Sequence, residues 1–214
     1  YPEVLEISKG KYWVDYAYHL APINKNHIDE MPMLLNDFGV SSFKIFMFYG
    51  GHGLHCKSDQ QHNFLKLEEG EKYDFAHFEF IMRKLSEMIE ANPKQAPYIS
   101  LSLHCEVADI LNAYTSMVQR DGKLKGLHAY NAARPPHSEG LAVFIASYLA
   151  HETSCANINL LHLTSRKALE AADAVLKPTS PAGLAISPND PVHRPWYTAP
   201  MLSQLSSSIG RSGN

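Results

Sequence analysis

Apolar residues along the chain fall into two kinds of pattern, dense short runs and longer stretches with a spacing of three and four. The dense runs are rich in aromatic and β-branched residues and predict strands over residues 11–23, 41–49, 98–105 and 157–164. The spaced stretches predict helices over residues 27–38, 75–91, 139–151 and 165–176. Ser165 is the expected N-cap of the last helix. Because strands and helices alternate, the pattern predicts an α/β fold with parallel strands, and the last three strands are apolar enough to have helices on both faces.

Two segments interrupt this alternation. Residues 50–73 contain several glycines and histidines with little periodicity, and they predict an inserted loop. Prolines recur from residue 178 onwards, and the chain ends in SSSIGRSGN, which predicts an irregular tail. The expected organisation is therefore a folded unit over residues 1–177 and a proline- and serine-rich tail over residues 178–214.

Composition narrows the functional classes. The 214 residues are 45% hydrophobic and 19% charged, as in a soluble globular domain. A net charge of −3 without a dense basic run argues against a nucleic-acid partner, and no apolar run is long enough for a membrane span. The three cysteines are sparse and odd in number, which favours a reducing compartment, so we expect a cytoplasmic protein.

Three polar residues lie at or near the carboxyl ends of predicted strands, where parallel α/β folds build their sites. They are Lys44, His104 and His162. Each has an ordinary structural explanation: Lys44 can be half-buried with its amine reaching solvent, and either histidine can be a hydrogen-bonded core residue. Taken together at successive strand ends, the three are a candidate metal site.

Five strings of residues keep a common order along the chain. They are VDYAYHLAPI (14–23), GVSSFKIFMFY (39–49), LHCE with His104 and Glu106, RPPHSEGLAV (134–143) and LLHLTSRKALEAA (160–172). In this order they resemble the dihydropyrimidinase and hydantoinase branch of the amidohydrolase superfamily. The resemblance implies a TIM (β/α)8 barrel of the metal-dependent hydrolase type, of which this chain matches about strands 2 to 5, a partial barrel.

The resemblance also implies a cofactor and roles for individual residues. Lys44 would be carboxylated and would bridge two divalent metal ions, usually zinc, while His104 and His162 would bind one of them. Tyr49, five residues after the lysine, would donate its phenol to the developing oxyanion. An aromatic residue that packs against a loop is the alternative for Tyr49.

Two elements of the family pattern have no match here. Active members carry a His-x-His pair on the first barrel strand and a metal-binding aspartate on the last, whereas His19 stands alone in YAYHLAP. We therefore expect the central portion of a larger enzyme, truncated at both ends. The complete enzyme would be a homo-oligomer, a tetramer by family resemblance, that hydrolyses a small cyclic amide, such as a dihydropyrimidine or hydantoin, to an N-carbamoyl amino acid. The alternatives are a non-catalytic assembly protein of the same fold and a fragment with an incomplete metal site.

Overall fold

The computed structural model of the chain describes residues 1–48, 54–55, 64–65 and 72–176. The elements within these ranges are, in chain order, α1 (Pro2–Ser8), α2 (Lys25–Phe38), β1 (Ser42–Phe46), β2 (Leu54–His55), β3 (Phe64–Leu65), α3 (Phe75–Ala91), β4 (Ser100–His104), α4 (Ala108–Asp121), α5 (Gly126–Ala132), α6 (Pro136–Glu152), β5 (Ile158–Leu160) and α7 (Arg166–Leu176). None of the helices in these ranges combines the length and the hydropathy that crossing a bilayer requires. The predicted tail, residues 178–214, lies outside the described residues, so the predicted division of the chain stays a prediction.

Strands β1, β4 and β5 form a parallel sheet in that order. Lys44 of β1 lies beside Ser102 of β4, which in turn lies beside Asn159 of β5. On the other side of β1, Leu20 makes a single parallel bridge to Phe43. Within the described part of the chain, the segments of this sheet are therefore neighbours in the order of the sequence. The predicted α/β class with parallel strands is confirmed.

The strand predicted over residues 11–23 is wrong except at Leu20. Leu20 accepts a hydrogen bond from the Lys44 N–H at 2.9 Å, but residues 11–19 join no sheet. Upstream aromatic side chains contact one another instead, with the Tyr12 and Tyr16 rings 4.2 Å apart, and Trp13 is fully exposed. β propensity reflects packing against a sheet surface, and these side chains have no such surface among the described residues.

The two faces of the sheet differ, which corrects the expectation of helices on both sides. One face is buried in the core with the helices and consists of Phe43, Ile45, Leu101, Leu103, Ile158 and Leu160. The opposite face is mostly polar and includes Lys44, Ser102, His104 and Asn159, of which Ser102 alone is buried. Side chains alternate between the faces of a strand, so the polar residues within β1, β4 and β5 all lie on the second face.

The helices predicted over residues 27–38, 75–91, 139–151 and 165–176 correspond to α2, α3, α6 and α7. The Ser165 hydroxyl accepts a hydrogen bond from the Ala168 N–H at 3.2 Å, which confirms the expected N-cap of α7. Helix α6 begins three residues earlier than predicted, at Pro136, because proline is pre-organised for the first helical position.

Helices α1, α4 and α5 were not predicted from the sequence. Helix α4 buries only Ala108 and Leu111, so it has no continuous apolar stripe that periodicity could reveal. Helices α1 and α5 are each a single short segment of seven residues. Short and exposed helices leave a weak signal because packing, rather than local pattern, decides whether they form.

Three consecutive residues at the start of α6 contact the segments that follow β4 and β5. Two of them bind loops, and the third lies against α7. The Ser138 hydroxyl accepts a hydrogen bond from the Val107 N–H at 2.9 Å. The buried Glu139 carboxylate accepts hydrogen bonds from the backbone N–H groups of Thr164 and Ser165, both at 2.8 Å. Gly140 lies so close to α7 that a Cβ atom there would be 2.9 Å from the backbone oxygen of Lys167. Helices α6 and α7 thus pack at a distance that only glycine permits.

The Gly140→Ala variant tests this close approach. Helix propensity alone would make alanine more stable by about 1 kcal/mol. We expect destabilisation by about 1–3 kcal/mol instead, because the added methyl group forces backbone against backbone. Urea unfolding followed by circular dichroism measures the difference, with Ser116→Ala at an exposed position of α4 as the control for alanine in a helix. A Gly140→Ala protein at least as stable as the wild type would contradict the packing described.

Candidate metal centre

Lys44 lies in the middle of β1 on the polar face of the sheet. Its side chain is half-buried, and its Nζ lies 4.9 Å from the centre of the Phe46 ring. Burial lowers the pKa of the Lys44 amine, because leaving water disfavours the charged form. Within the described ranges no carboxylate forms a salt bridge with it. The lowered pKa makes the neutral, nucleophilic form of the Lys44 amine more accessible than that of a lysine in water.

His104 and His162 come together at the carboxyl end of the sheet. Their ring centres are 4.5 Å apart in an edge-to-face arrangement. The centre of the Phe48 ring lies 4.4 Å from the centre of the His104 ring. His104 is the last residue of β4 and is on the same face as Lys44. The structure therefore brings the two predicted histidines into contact at the ends of β4 and β5, and β4 is the strand next to the one that carries the lysine.

The position of His162 depends on an unusual backbone conformation. It follows β5 by two residues and has a φ of 37°, in the left-handed region that non-glycine residues rarely adopt. Regular alternation from Leu160 would direct His162 to the buried face, and the left-handed turn breaks that alternation. The next residues, Thr164 and Ser165, are held by Glu139. The strained turn is thus maintained by hydrogen bonds that immediately follow it.

Glu106 and Arg134 extend the site behind His104. The His104 Nε2 lies 2.7 Å from Oε2 of Glu106, and the Arg134 Nε lies 3.6 Å from Oε1 of the same carboxylate. In the sequence, Glu106 and Arg134 occur as parts of the matched motifs, which indicate no role for either residue. The His-x-Glu spacing at a strand end was the available signal, because side chains two residues apart point to the same face. The link to Arg134 has no such local signal.

Tyr49, the expected catalytic phenol, lies outside the described residues. Phe48 ends the described part of this segment, so the role of Tyr49 stays a prediction. Cys105, next to His104 in sequence, is buried with its thiol free, and burial raises its pKa to about 12. The Cys105 thiol is therefore protonated and suited to packing rather than to metal binding.

The donor set fits one part of a metal centre. Across residues 1–48 and 72–176, no group of three or more His, Cys, Asp or Glu side chains could hold a metal ion. His19 bonds the Ser42 hydroxyl through Nδ1 and does not join the histidine pair. The two imidazoles are in contact, and the desolvated Lys44 lies on the same face of the neighbouring strand β1. Lys44 becomes a metal-binding oxygen donor only if it is carboxylated. Two imidazoles with a lysine carbamate are a chemically suitable share of a zinc site.

Comparison with known proteins gives one curated relative and a group of solved structures, while no family model matches the chain. The relative is a D-hydantoinase from Geobacillus stearothermophilus, 23% identical over 163 residues, which are 75% of this chain and 28% of that enzyme. The chain therefore spans less than a third of the length of the curated relative that it matches.

Among solved structures, a D-hydantoinase matches with a TM-score of 0.59 at 21% identity, over 82% of this chain and 32% of that one. A dihydropyrimidinase from Brevibacillus agri NCHU1002 matches with a TM-score of 0.54 at 22% identity, over 79% and 31%. An L-hydantoinase from Arthrobacter aurescens matches with a TM-score of 0.54 at 18% identity, over 73% and 29%. At these identities the structures show a shared fold. Together with the curated relative, they confirm the resemblance of this chain to the hydantoinase and dihydropyrimidinase branch of the amidohydrolase superfamily, over about 30% of the length of those enzymes.

Proposed function

We propose that the described residues are part of a metal-dependent hydrolase that opens the ring of a cyclic amide, such as a dihydropyrimidine or a hydantoin, to an N-carbamoyl amino acid. The observation that carries this proposal is the placement of Lys44 within β1 and of His104 and His162 at the carboxyl ends of the next two parallel strands, with the two imidazole rings 4.5 Å apart. The similarity to proteins named D-hydantoinase, L-hydantoinase and dihydropyrimidinase supports the same substrate class.

The sheet order supports a partial (β/α)8 barrel as the setting of this site. In such a barrel each strand pairs with the next one along the chain, helices cover the outside, and sites form at the carboxyl ends of the strands. The parallel order of Leu20, β1, β4 and β5, with one apolar and one polar face, has these properties. We assign these segments to about strands 2 to 5, within a unit that spans residues 1–177.

The resemblance to the hydantoinases gives each site residue a role in the proposed reaction. The neutral Lys44 amine would attack carbon dioxide, form an N–C bond and release one proton, which leaves a carbamate with two oxygen donors. The carboxylated Lys44 would serve as an oxygen ligand for divalent metal, and His104 and His162 would hold a metal ion through imidazole nitrogen. Bound divalent ions would supply Lewis-acid polarisation of the amide carbonyl and a water molecule of lowered pKa. The Tyr49 phenol would donate a hydrogen bond to the developing oxyanion.

A second candidate function is assembly without catalysis. It is favoured by one observation, that the described residues bring only two imidazoles together and no third His, Cys, Asp or Glu ligand. A relative of this kind would keep the fold and the oligomer, a tetramer by family resemblance, without turnover. Metal content and ring-opening activity distinguish the two functions.

Replacing Lys44 by methionine tests whether the lysine is kept at the expense of stability. At pH 7 we expect Lys44→Met to be more stable than the wild type, because methionine has no charge to desolvate. Above the lowered pKa of Lys44 and below the unfolded value of about 10.4, the unfolded wild type binds more protons, so its stability rises with pH. The difference between the proteins should therefore shrink as the pH rises.

Urea unfolding of both proteins over this pH range measures the difference in their free energies of unfolding. The other ionisable groups are the same in both proteins, so their contributions cancel and the remaining pH dependence belongs to Lys44. A Lys44→Met protein that is less stable at neutral pH would contradict the desolvation of Lys44.

Metal analysis of the full chain tests the site itself. After incubation with Zn²⁺ and removal of excess ion, we expect His104→Ala and His162→Ala each to lose bound zinc relative to the wild type, because each removes an imidazole donor. His151→Ala, on the surface of α6, is the matched control and should retain the wild-type content.

Ring opening of hydantoin and dihydrouracil by the same preparations separates the candidate functions. Hydrolysis that a chelator abolishes and Zn²⁺ restores supports the enzyme. Zinc binding without turnover favours the assembly protein, and zinc content unaffected by both histidine variants would reject the site.

A further inference from the structure

Glu106, Arg134 and Tyr130 form a chain of contacts that begins at His104. Oε2 of Glu106 lies 2.7 Å from Nε2 of His104, and Oε1 lies 3.6 Å from Nε of Arg134. The Arg134 guanidinium lies over the ring of Tyr130, with Cζ 3.9 Å from the ring centre. The side chain of Glu106 is 15% exposed and that of His104 is 24% exposed, so the contact between them is largely shielded from water.

The chemistry of this contact decides which nitrogen of His104 is free. An ionised carboxylate only accepts hydrogen bonds, so the proton between Glu106 and His104 belongs to Nε2. In the neutral imidazole the other nitrogen, Nδ1, then has its lone pair available. The hydrogen bond therefore fixes both the tautomer and the rotation of the ring.

Arg134 and Tyr130 give this carboxylate a fixed position. Tyr130 belongs to α5, and Arg134 follows that helix by two residues. The Arg134 side chain is held from one side by the Tyr130 ring and faces the Glu106 oxygen that His104 does not use. Helix α5 buries none of its own residues, and Tyr130 is the residue through which it contacts Arg134.

We propose that Glu106 is a positioning residue, held by Arg134 on Tyr130, which keeps His104 in the tautomer that presents Nδ1 to the metal. The inference rests on the proposed function, because it assigns His104 to a metal, and it adds two residues that the resemblance did not assign. A carboxylate that accepts the second N–H of a metal-binding imidazole raises the basicity of the ligand as well as orienting it.

The first measurement uses no metal. Nitrogen-15 spectra of the histidine rings, recorded on the metal-free full chain at pH 8, report the tautomer of each residue. We expect His104 to be protonated at Nε2 in the wild type and in Glu106→Gln, since the glutamine carbonyl oxygen also accepts this hydrogen bond. Glu106→Ala should show a mixture of tautomers at His104. Glu152→Ala, which removes the exposed carboxylate beside His151, is the matched control and should leave His104 unchanged.

The second measurement is the affinity for Zn²⁺ alone, from competition with a chromophoric chelator. Loss of such a carboxylate typically weakens metal binding by about 10- to 100-fold, and we expect this of Glu106→Ala. Glu106→Gln should retain most of the affinity. If Glu106 were itself a metal ligand, glutamine would weaken binding as much as alanine does, and that result would overturn the positioning role.

Arg134→Met keeps the test decisive if Glu106→Ala does not fold. It removes the charge that faces Oε1 while leaving the His104–Glu106 hydrogen bond possible, so we expect a smaller loss of zinc affinity with Nε2 still protonated. Unchanged tautomer and affinity in every folded variant of Glu106 and Arg134 would overturn the proposal. A wild type with the Nε2–H tautomer that binds no Zn²⁺ would instead reject the proposed function and leave the Glu106–His104 geometry standing.

Discussion

The hydrogen bonds of the Glu139 carboxylate are the interaction on which the rest of the site depends. Glu139 is buried, and a buried carboxylate is stable only when its oxygens are fully bonded. Its partners are backbone N–H groups in front of α7, where the unpaired amides and the helix dipole both favour a negative charge. The loop that provides these amides also carries His162. Glu139 of α6 therefore helps to determine where His162, a candidate metal ligand after β5, lies.

The residues on either side of Glu139 make the same helix a common support for two strand ends. Ser138 bonds the backbone of Val107, in the loop after β4, and Gly140 allows α7 to approach α6. The loops after β4 and β5 are thus fixed relative to one another. Because His104 and His162 stand at the start of these loops, their contact follows from the packing of α6 rather than from anything within their own strands.

Residue pattern predicted the elements that have a strong period or a dense apolar run. The parallel strands and helices α2, α3, α6 and α7 belong to this class. The prediction failed for residues 11–19, which have the composition of a strand but pair with no sheet. It also missed α4, because that helix buries almost none of its residues. It also assigned helices to both faces of the sheet. The polar residues within β1, β4 and β5, such as Lys44 and Asn159, all fall on one face, and the strand register makes this visible.

The sequence by itself determined which residues carry the candidate chemistry and at which strand ends they occur, because that information is local. It named Lys44, His104 and His162, and their motifs were sufficient to indicate the family. Only the tertiary structure decided that the two imidazoles touch, that His162 leaves its strand through a left-handed turn, and that Arg134 faces the Glu106 carboxylate behind His104. These relations join residues 28 to 58 positions apart or depend on backbone strain that distant hydrogen bonds hold. No period or motif in the chain encodes such contacts, since they exist only when separate elements pack together.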